Sequence, residues 1–303
     1  MKTYVYNVNN MTEAEKKAFV LKCEEEFEAQ LARAADEIIR EGSRIVTLSG
    51  PTCSGKTTTA SRFIGAIERT GKKVGVISID DFYKSRETLE RESLERGLEK
   101  VDYDSALSID LDYFEECIDG ILDRNTVKLP RYSFDKGARV EYVDFESSEY
   151  DCIIIEGIQA VYPEVTEHIH CGYKSVQISV ATDVMVNGSF FTSRQIRFMR
   201  RMIRDERSRN APPAVTFNMW KGVSENEDLH IMPYAGCYDI ELDSYMEYEP
   251  FMIRSRVIEL LSQIGPDDEY FHKADEIKSK LKELFDISPD YLPEKSVYHE
   301  FLG

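Results

Sequence analysis

Several features that would place a protein in other classes are missing from this chain of 303 residues. It has no run of about 18 apolar residues, so no membrane span is predicted. Its first ten residues, MKTYVYNVNN, contain no apolar stretch of the kind that a secretory signal needs. We find no internal repeat and no low-complexity linker. These absences favour a globular protein that does not contact a membrane.

Cysteine pairs and excess positive charge are missing as well. The six cysteines are scattered and none forms a C-x-x-C pair, which predicts reduced, buried thiols in a cytoplasmic protein. HIHC at residues 168–171 is compact but has no distant second pair, so we predict a loop cluster and not a metal site. The net charge of −18 argues against non-specific binding to nucleic acid, which needs a basic surface.

Continuous apolar runs separated by helical stretches predict an α/β fold. Such runs are typical of parallel strands that helices cover on both faces. We expect an N-terminal helical extension at residues 1–42, a core at 43–262 and a helical C-terminal tail, packed on the core, at 263–303. The pattern assigns no structure to the final YLPEKSVYHEFLG. The predicted strands are 44–50, 73–80, 151–157 and 174–182, and the predicted helices are 12–42, 55–71, 193–210 and 267–285.

The stretch LSGPTCSGKTTTA, residues 48–60, matches the phosphate-binding pattern G-x-x-x-x-G-K-[ST]. Its glycines let the backbone turn N–H groups toward phosphate oxygens, and the next helix adds its positive N-terminal end. Lys56 would reach the β- and γ-phosphates, and the Thr57 hydroxyl would bind Mg²⁺. The position between a predicted strand and a predicted helix favours a site for ATP or GTP over a simple glycine-rich turn. The predicted phosphate contacts are Gly50, Thr52, Cys53, Ser54, Gly55, Lys56, Thr57 and Thr58.

Carboxylates follow the second and third predicted strands, at the sheet edge where ligands bind. Neighbouring residues of a strand point in opposite directions, so only one of Asp80 and Asp81 should face the site, and we assign that role to Asp80. It would accept the proton of an acceptor hydroxyl or touch the metal through water. Asp81 suits the cap of the following helix. Glu156 is expected to hold Mg²⁺, the alternative being a surface residue at the strand end.

Seven arginines lie between residues 194 and 209 of an otherwise acidic protein. Only Asp205 and Glu206 lie among them, so they cannot all pair locally. Guanidinium groups bind phosphate through two parallel hydrogen bonds and stabilise the charge of phosphoryl transfer. RNAPPA then ends the helix, as a mobile lid around residues 194–215 would need, while some of the arginines are expected to form only a solvated basic face. The seven are Arg194, Arg197, Arg200, Arg201, Arg204, Arg207 and Arg209.

With these motifs in this order, residues 43–260 resemble the uridine kinase / phosphoribulokinase family of P-loop kinases. The resemblance implies a three-layer α/β/α P-loop NTPase fold with a helical lid, and ATP and Mg²⁺ as cofactors. It also implies a small nucleoside as substrate and a homo-oligomeric state, which is common in the family. ISIDDFYK resembles the strand of the catalytic base, Asp80, and VDYDSALSID the segment whose first acid, Asp102, holds ribose hydroxyls.

Three further segments complete the resemblance. LPRYSFDKGAR is similar to the part of the family that packs on the acceptor's base, which gives Tyr132 and Phe134. IIIEGI matches the family's Glu-Gly at Glu156. RRMIRDERSR matches its arginine helix and lid, which implies that Arg201, Arg204 and Arg209 lie near the phosphates, with Arg201 and Arg204 also facing the substrate and Arg204 acting in catalysis.

The segment MWKGVSENEDLHIMPYAGCYDIELDSYMEYE and the ending EFLG resemble a bacterial subgroup of the family. In that subgroup the kinase part often follows a synthetase-like N-terminal domain. Here a helix of about thirty residues stands before the kinase core, and we expect that domain to be absent.

Three departures from the family pattern bear on the substrate. Gly137 stands where the family has a His and Asn210-Ala211 where it has Gly-Arg, so a uracil or cytosine edge read by hydrogen bonds would lose those donors. Ser133 also stands where the family has an Asp. Our leading hypothesis is an ATP-dependent kinase of the ribose 5′-hydroxyl of uridine or cytidine. One alternative is a kinase of another small hydroxyl compound: another nucleoside, pantothenate or a phosphosugar, the last disfavoured by the acidic segment at Asp102. The other is a nucleotide-binding regulatory protein without acceptor turnover.

Overall fold

The computed structural model describes residues 3–103, 105–234 and 236–303. At its centre lies a five-stranded sheet in which every pairing is parallel, so the predicted α/β class is confirmed. In chain order the described strands are β1 (Thr3–Tyr6), β2 (Ile45–Ser49), β3 (Val74–Ser78), β4 (Thr126–Ser133), β5 (Ala138–Glu146), β6 (Cys152–Glu156), β7 (Tyr173–Ser179), β8 (Asp183–Val186), β9 (Ser189–Phe191) and β10 (Ile240–Asp243). The order across the central sheet is β10-β7-β2-β6-β3.

Helices surround this sheet, and the first of them has the predicted ends. It begins at a capping box formed by Thr12 and Glu15 and ends at Gly42, whose φ of +68° favours glycine. None of the described helices is both long enough and apolar enough to cross a membrane. The described helices are α1 (Glu13–Glu41), α2 (Lys56–Glu68), α3 (Arg86–Glu95), α4 (Leu111–Leu122), α5 (Pro163–Thr166), α6 (Ser193–Arg209), α7 (Pro213–His230), α8 (Glu249–Leu261), α9 (Phe271–Lys282) and α10 (His299–Leu302).

Alternate residues of the central strands face two separate hydrophobic cores. In β6, Ile154 belongs to the core that contains residues of α1, α2, α6, α8 and α9. Its neighbours Ile153 and Ile155 belong to the core that contains residues of α4. Because a strand points successive side chains to opposite faces, a sheet covered on both sides needs the continuous apolar run that this sequence has.

Two smaller sheets were missed at the sequence level. β1, in the segment predicted to be only helical, pairs in parallel with β8, and Thr3 lies opposite Asp183. β4 and β5 form an antiparallel hairpin in which Thr126 lies opposite Glu146. Both elements mix polar and apolar residues and are largely exposed, so they lack the apolar runs that revealed the central strands.

The final segment, which the sequence pattern could not place, packs on the phosphate-loop side of the core. Tyr298 is fully buried there, and its hydroxyl donates a hydrogen bond to Glu249. Glu249 and Arg200 are also fully buried and form an ion pair, with 2.6 Å between Arg200 Nε and Glu249 Oε1. Arg200 Nη1 donates to the carbonyl oxygen of Cys53 at 3.3 Å. This network therefore connects α6, α8, the final segment and the loop before α2.

We expect Glu249→Ala to lower the free energy of unfolding by about 3–5 kcal/mol, because Arg200 would stay buried without its partner. Glu259 offers a matched control: it pairs with Arg256 on the surface and its side chain is 64% exposed. Glu259→Ala should cost less than about 1 kcal/mol. Chemical denaturation of both variants measures the difference. Equal losses would contradict a stabilising role for the buried pair.

Candidate active site

The predicted phosphate-binding loop lies between β2, the middle strand of the sheet, and α2. A side chain at Gly50 would place its Cβ 2.4 Å from the carbonyl oxygen of Ile178, so only glycine fits. Gly55 caps α2 with a φ of +82°. The backbone N–H groups of Gly55, Lys56 and Thr57 have no acceptor among the described residues. The loop thus forms a cradle of free donors at a helix N-terminus, the arrangement that binds anions.

Hydroxyl groups of the loop fit a nucleotide with its metal. The Ser54 hydroxyl is buried and has no hydrogen-bond partner in the described part of the chain. Thr57 is exposed at the first turn of α2, where its hydroxyl can reach a ligand. Mg²⁺ prefers oxygen ligands and is usually shared with substrate phosphates. The residues present therefore fit the triphosphate and Mg²⁺ that the loop pattern predicts.

Lys56 and Glu156 form an ion pair across the site, with 2.8 Å between Nζ and Oε2. Partial burial would raise the pKa of Glu156, but the charge and hydrogen bond of Lys56, together with a bond from Ser78, hold it below its usual value. Glu156 is therefore ionised at neutral pH and available to a cation. The structure brings together the predicted phosphate lysine and the predicted metal ligand.

Asp80 lies in a short 3₁₀ turn, Ile79–Phe82, that follows β3. A Cβ at Gly157 would lie 2.3 Å from Ile79 Cγ2 and 3.4 Å from Asp80 Oδ1, so glycine lets the ends of β3 and β6 approach. Burial raises the pKa of Asp80; the charge of Lys56 opposes this rise, and those of Glu156 and Asp81 add to it. A carboxylate with a raised pKa is a better proton acceptor, as a general base requires.

The expectation that Asp81 caps the following helix is wrong, because Ser85 is the N-cap of α3. Asp81 instead holds the β4–β5 hairpin. Its carboxylate accepts hydrogen bonds from Arg131 Nη1 at 2.6 Å and from the Tyr132 N–H at 2.9 Å. Neighbouring residues of a 3₁₀ turn point about 120° apart, so Asp80 faces Lys56 while Asp81 faces the hairpin.

An aromatic wall lies next to this turn. The rings of Tyr83, Tyr132 and Phe134 contact one another, with centroid distances of 5.1–5.6 Å. The rings are tilted or edge-on to one another, and Phe134, which is 58% exposed, presents its apolar ring to solvent. The structure thus brings the two predicted acceptor residues together and adds Tyr83, which sequence reasoning missed although it lies three positions after Asp80.

Asp102, the predicted ligand of ribose hydroxyls, is held within its own turn. Its carboxylate accepts hydrogen bonds from the N–H and the hydroxyl of Ser105, at 3.0 and 2.6 Å. Arg96 Nη1 lies 3.3 Å from the same carboxylate. The carbonyl oxygen of Tyr103, the next residue, accepts a hydrogen bond from the Tyr83 hydroxyl at 2.8 Å, so this turn adjoins the aromatic wall.

Arg86 occupies the space beside Gly137, the position that departs from the family pattern. Gly137 has a φ of +62°, and a Cβ there would lie 2.8 Å from Arg86 Nε. Arg86 Nη2 donates to the carbonyl oxygen of Phe134 at 2.8 Å. No carboxylate pairs with Arg86 in the described part of the chain. The edge of the aromatic wall therefore carries an exposed positive charge.

The three arginines predicted to lie near the phosphates meet at one carboxylate. Arg201, Arg204 and Arg209 lie 3.0, 3.3 and 3.2 Å from the oxygens of buried Asp205. Burial raises the pKa of the Cys53 thiol, and the charges of Arg204 and Arg201 oppose that rise, which places both arginines near the loop. Arg204 Nε is buried and has no partner among the described atoms, so it offers a donor to an anion.

Two other arginines fix the backbone of the loop, a role that sequence reasoning missed. Arg197 Nη1 donates to the carbonyl oxygen of Thr52 at 3.1 Å and pairs with Glu227. Arg200 binds the Cys53 carbonyl, as described above. Their acidic partners come from α7 and α8, so a count of acids within α6 could not find them. Movement of residues 194–215 as a lid stays a prediction.

HIHC has a second pair of partners, contrary to the sequence expectation. Glu115 and Asp119, one turn apart on α4, contact His168 and His170. Ligand atoms of Glu115, Asp119 and His170 lie within 4.8 Å of one another. The side chains of His170 and Asp119 are half exposed, so we interpret the group as a polar surface cluster.

Comparison with known proteins shows similarity to one family and to several of its members. The sequence profile of the Phosphoribulokinase / Uridine kinase family matches residues 45–240. A uridine kinase of Ureaplasma parvum is 27% identical over 190 residues, which are 62% of this chain and 82% of that protein. A uridine kinase of Lactobacillus helveticus is 27% identical over 211 residues, 66% of this chain and 90% of that protein. A solved phosphoribulokinase from Rhodobacter spheroides aligns with a TM-score of 0.42 and 16% identity, covering 66% of this chain and 69% of its own.

The matched span contains the phosphate-binding loop, Asp80, Glu156 and the arginine helix α6. It covers more than half of the chain, and the fold around it is that of a P-loop kinase. The chain belongs to the phosphoribulokinase / uridine kinase family.

Proposed function

We propose that the protein is an ATP-dependent nucleoside kinase that phosphorylates the ribose 5′-hydroxyl of uridine or cytidine. The observation that carries the proposal is the position of Asp80 near Lys56 and Glu156, three residues before Tyr83, whose ring contacts the exposed ring of Phe134. A carboxylate with a raised pKa near phosphate-binding groups suits proton removal from a hydroxyl. The uridine kinases similar to this chain support the choice of acceptor.

Each site residue has a role in this proposal. The loop N–H groups and Lys56 hold the β- and γ-phosphates, while Arg201, Arg204 and Arg209 stabilise charge on the transferred group. Asp80 takes the acceptor proton as the acceptor oxygen bonds to the γ-phosphorus and the bond to the β-phosphate oxygen breaks, which leaves ADP. Mg²⁺, held by Thr57 and Glu156 with Asp80 through water, would neutralise phosphate charge. Most of the rate enhancement would come from holding the acceptor hydroxyl and the γ-phosphate in the geometry of the reaction.

The aromatic wall fits a nucleobase, because aromatic faces stack on one another. Tyr132 and Phe134 would pack on the base. Asp102 would accept hydrogen bonds from the ribose hydroxyls in place of those that it accepts from Ser105. Arg86 favours a second candidate, a kinase of an anionic hydroxyl compound such as a phosphosugar or pantothenate. Its guanidinium lies beside the wall without a carboxylate partner in the described chain, and guanidinium groups bind phosphate and carboxylate well.

An acceptor panel separates these functions. We expect ADP release with MgATP to depend on uridine or cytidine, and not on adenosine, pantothenate or ribulose 5-phosphate. Arg86→Gln tests the second candidate. It should lower the turnover of an anionic acceptor by about 100-fold more than it lowers the turnover of a neutral nucleoside. Turnover only on an anionic compound would move the substrate and keep the kinase mechanism. ATP binding without any acceptor-dependent ADP release would favour a regulatory protein.

A further inference from the structure

A carboxylate from the final segment, residues 291–303, contacts the first turn of α2, which directly follows the phosphate-binding loop. Glu300 Oε2 accepts a hydrogen bond from Thr58 Oγ1 at 3.0 Å and a longer one from the Thr58 N–H at 3.4 Å. This N–H belongs to the first turn of α2, whose donors have no partner within the helix. Such donors bind anions, and in this structure the bound anion is a side chain of the protein itself.

Packing fixes the backbone that carries Glu300. Val297 and Phe301 are fully buried and lie against the loop, since a Cβ at Gly55 would be 2.7 Å from Val297 Cγ1 and 3.9 Å from the Phe301 ring. Arg207 Nη2 donates to the carbonyl oxygen of Glu300 at 3.0 Å. The Glu300 residue itself is only partly buried. Its carboxylate can therefore turn away from Thr58 while the segment stays in place.

We propose that Glu300 lowers the affinity of the site for nucleotide by competing with a nucleotide phosphate for Thr58. The inference rests on the proposed function, because the competitor is the phosphate chain of ATP or ADP. A carboxylate and a phosphate repel each other when both approach the same donors. Nucleotide binding then requires the state in which Glu300 has left, and the apparent affinity is reduced by the fraction of molecules in that state.

Glu300→Gln tests the proposal, because it keeps the shape and an acceptor oxygen but removes the charge. We expect the dissociation constants of ATP and ADP to fall about tenfold in calorimetric titration at low salt. The gain should shrink in about 0.5 M salt, because screening weakens the repulsion in the wild type. Glu294→Gln is the matched control: Glu294 is exposed and its side chain forms no hydrogen bond or ion pair among the described residues, so its affinities should equal those of the wild type.

The outcomes separate this inference from the proposed function. If the wild type and Glu294→Gln bind ATP and Glu300→Gln binds it equally or more weakly, only the inference is overturned. If none of the three proteins binds ATP or ADP, the proposed function fails and the inference fails with it. Should Glu300→Gln not fold, Glu300→Asp decides, because it keeps the charge but shortens the side chain that reaches Thr58. Tighter ADP binding than in the wild type supports competition by Glu300, and unchanged or weaker binding overturns it.

Discussion

Replacing Asp80 by asparagine is expected to lower turnover by about 10²–10⁴-fold and to leave ATP affinity within about threefold of wild type. The amide has the size of the carboxylate but cannot accept the proton of the acceptor hydroxyl. The phosphate-binding donors of the loop are untouched, so ATP should still bind. Steady-state ADP release in the presence of the acceptor, together with ATP titration, measures both quantities.

Asp81→Asn is the matched control for this variant. It removes a charge at the next position, but that carboxylate faces Arg131 and the Tyr132 N–H. We expect its turnover to fall less than about tenfold, since the proton acceptor remains. Near-wild-type turnover in Asp80→Asn, or equal losses in the two variants, would remove Asp80 from the role of base.

The pH profile of kcat/KM gives a second readout of Asp80. A base must be ionised, so the rate falls as the pH drops through the pKa of Asp80 in the free enzyme. Because burial raises this pKa above the ordinary 3.8, the rate should begin to fall at a higher pH than for a solvated aspartate. The residual activity of Asp80→Asn should lack this acidic limb.

The second large effect is expected for Lys56→Ala, which should lower kcat by at least about 10²-fold and also weaken ATP binding. Lys56 supplies positive charge to the phosphates in both the ground state and the transition state. Its loss also leaves Glu156 without the charge that holds its pKa down, so the pKa of Glu156 should rise. ATP titration and steady-state kinetics measure the two losses separately.

Lys72→Ala is the control for Lys56→Ala. Lys72 pairs with Asp151 at 3.2 Å, and both side chains are nearly half exposed. Such a pair contributes little to stability, and it lies outside the proposed site. Its kinetic constants should match those of the wild type. Wild-type nucleotide affinity in Lys56→Ala would refute the assignment of the loop as a phosphate site.

The parts of the fold and of the site that could be predicted are those that depend on residues close together in the sequence. The loop at residues 50–58, the capping box at Thr12 and the apolar runs of the central sheet depend on residues within a few positions of one another. Asp80 and Glu156 could be assigned because parallel strands carry their ends to one edge of the sheet. For these features, sequence spacing and spatial position are closely linked.

Partners from distant parts of the chain could not be predicted in the same way. Arg200 pairs with Glu249, and Thr58 bonds to Glu300, across large separations in sequence. Asp81 was misassigned as a helix cap because a 3₁₀ turn, Ile79–Phe82, lies between β3 and α3, so that α3 begins only after Ser85. A side chain's partner depends on packing, which hydrophobic periodicity does not specify.

The pairing of β1 with β8 has a consequence for the protein's synthesis. Thr3 cannot meet Asp183 until the ribosome has made all the residues between them, which takes roughly 10–40 s at typical elongation rates. During that time the exposed edge of TYVY is available to other chains, a common start of aggregation. The charged helix that directly follows it, α1 with its many glutamates, would keep nascent chains apart through mutual repulsion until β8 emerges.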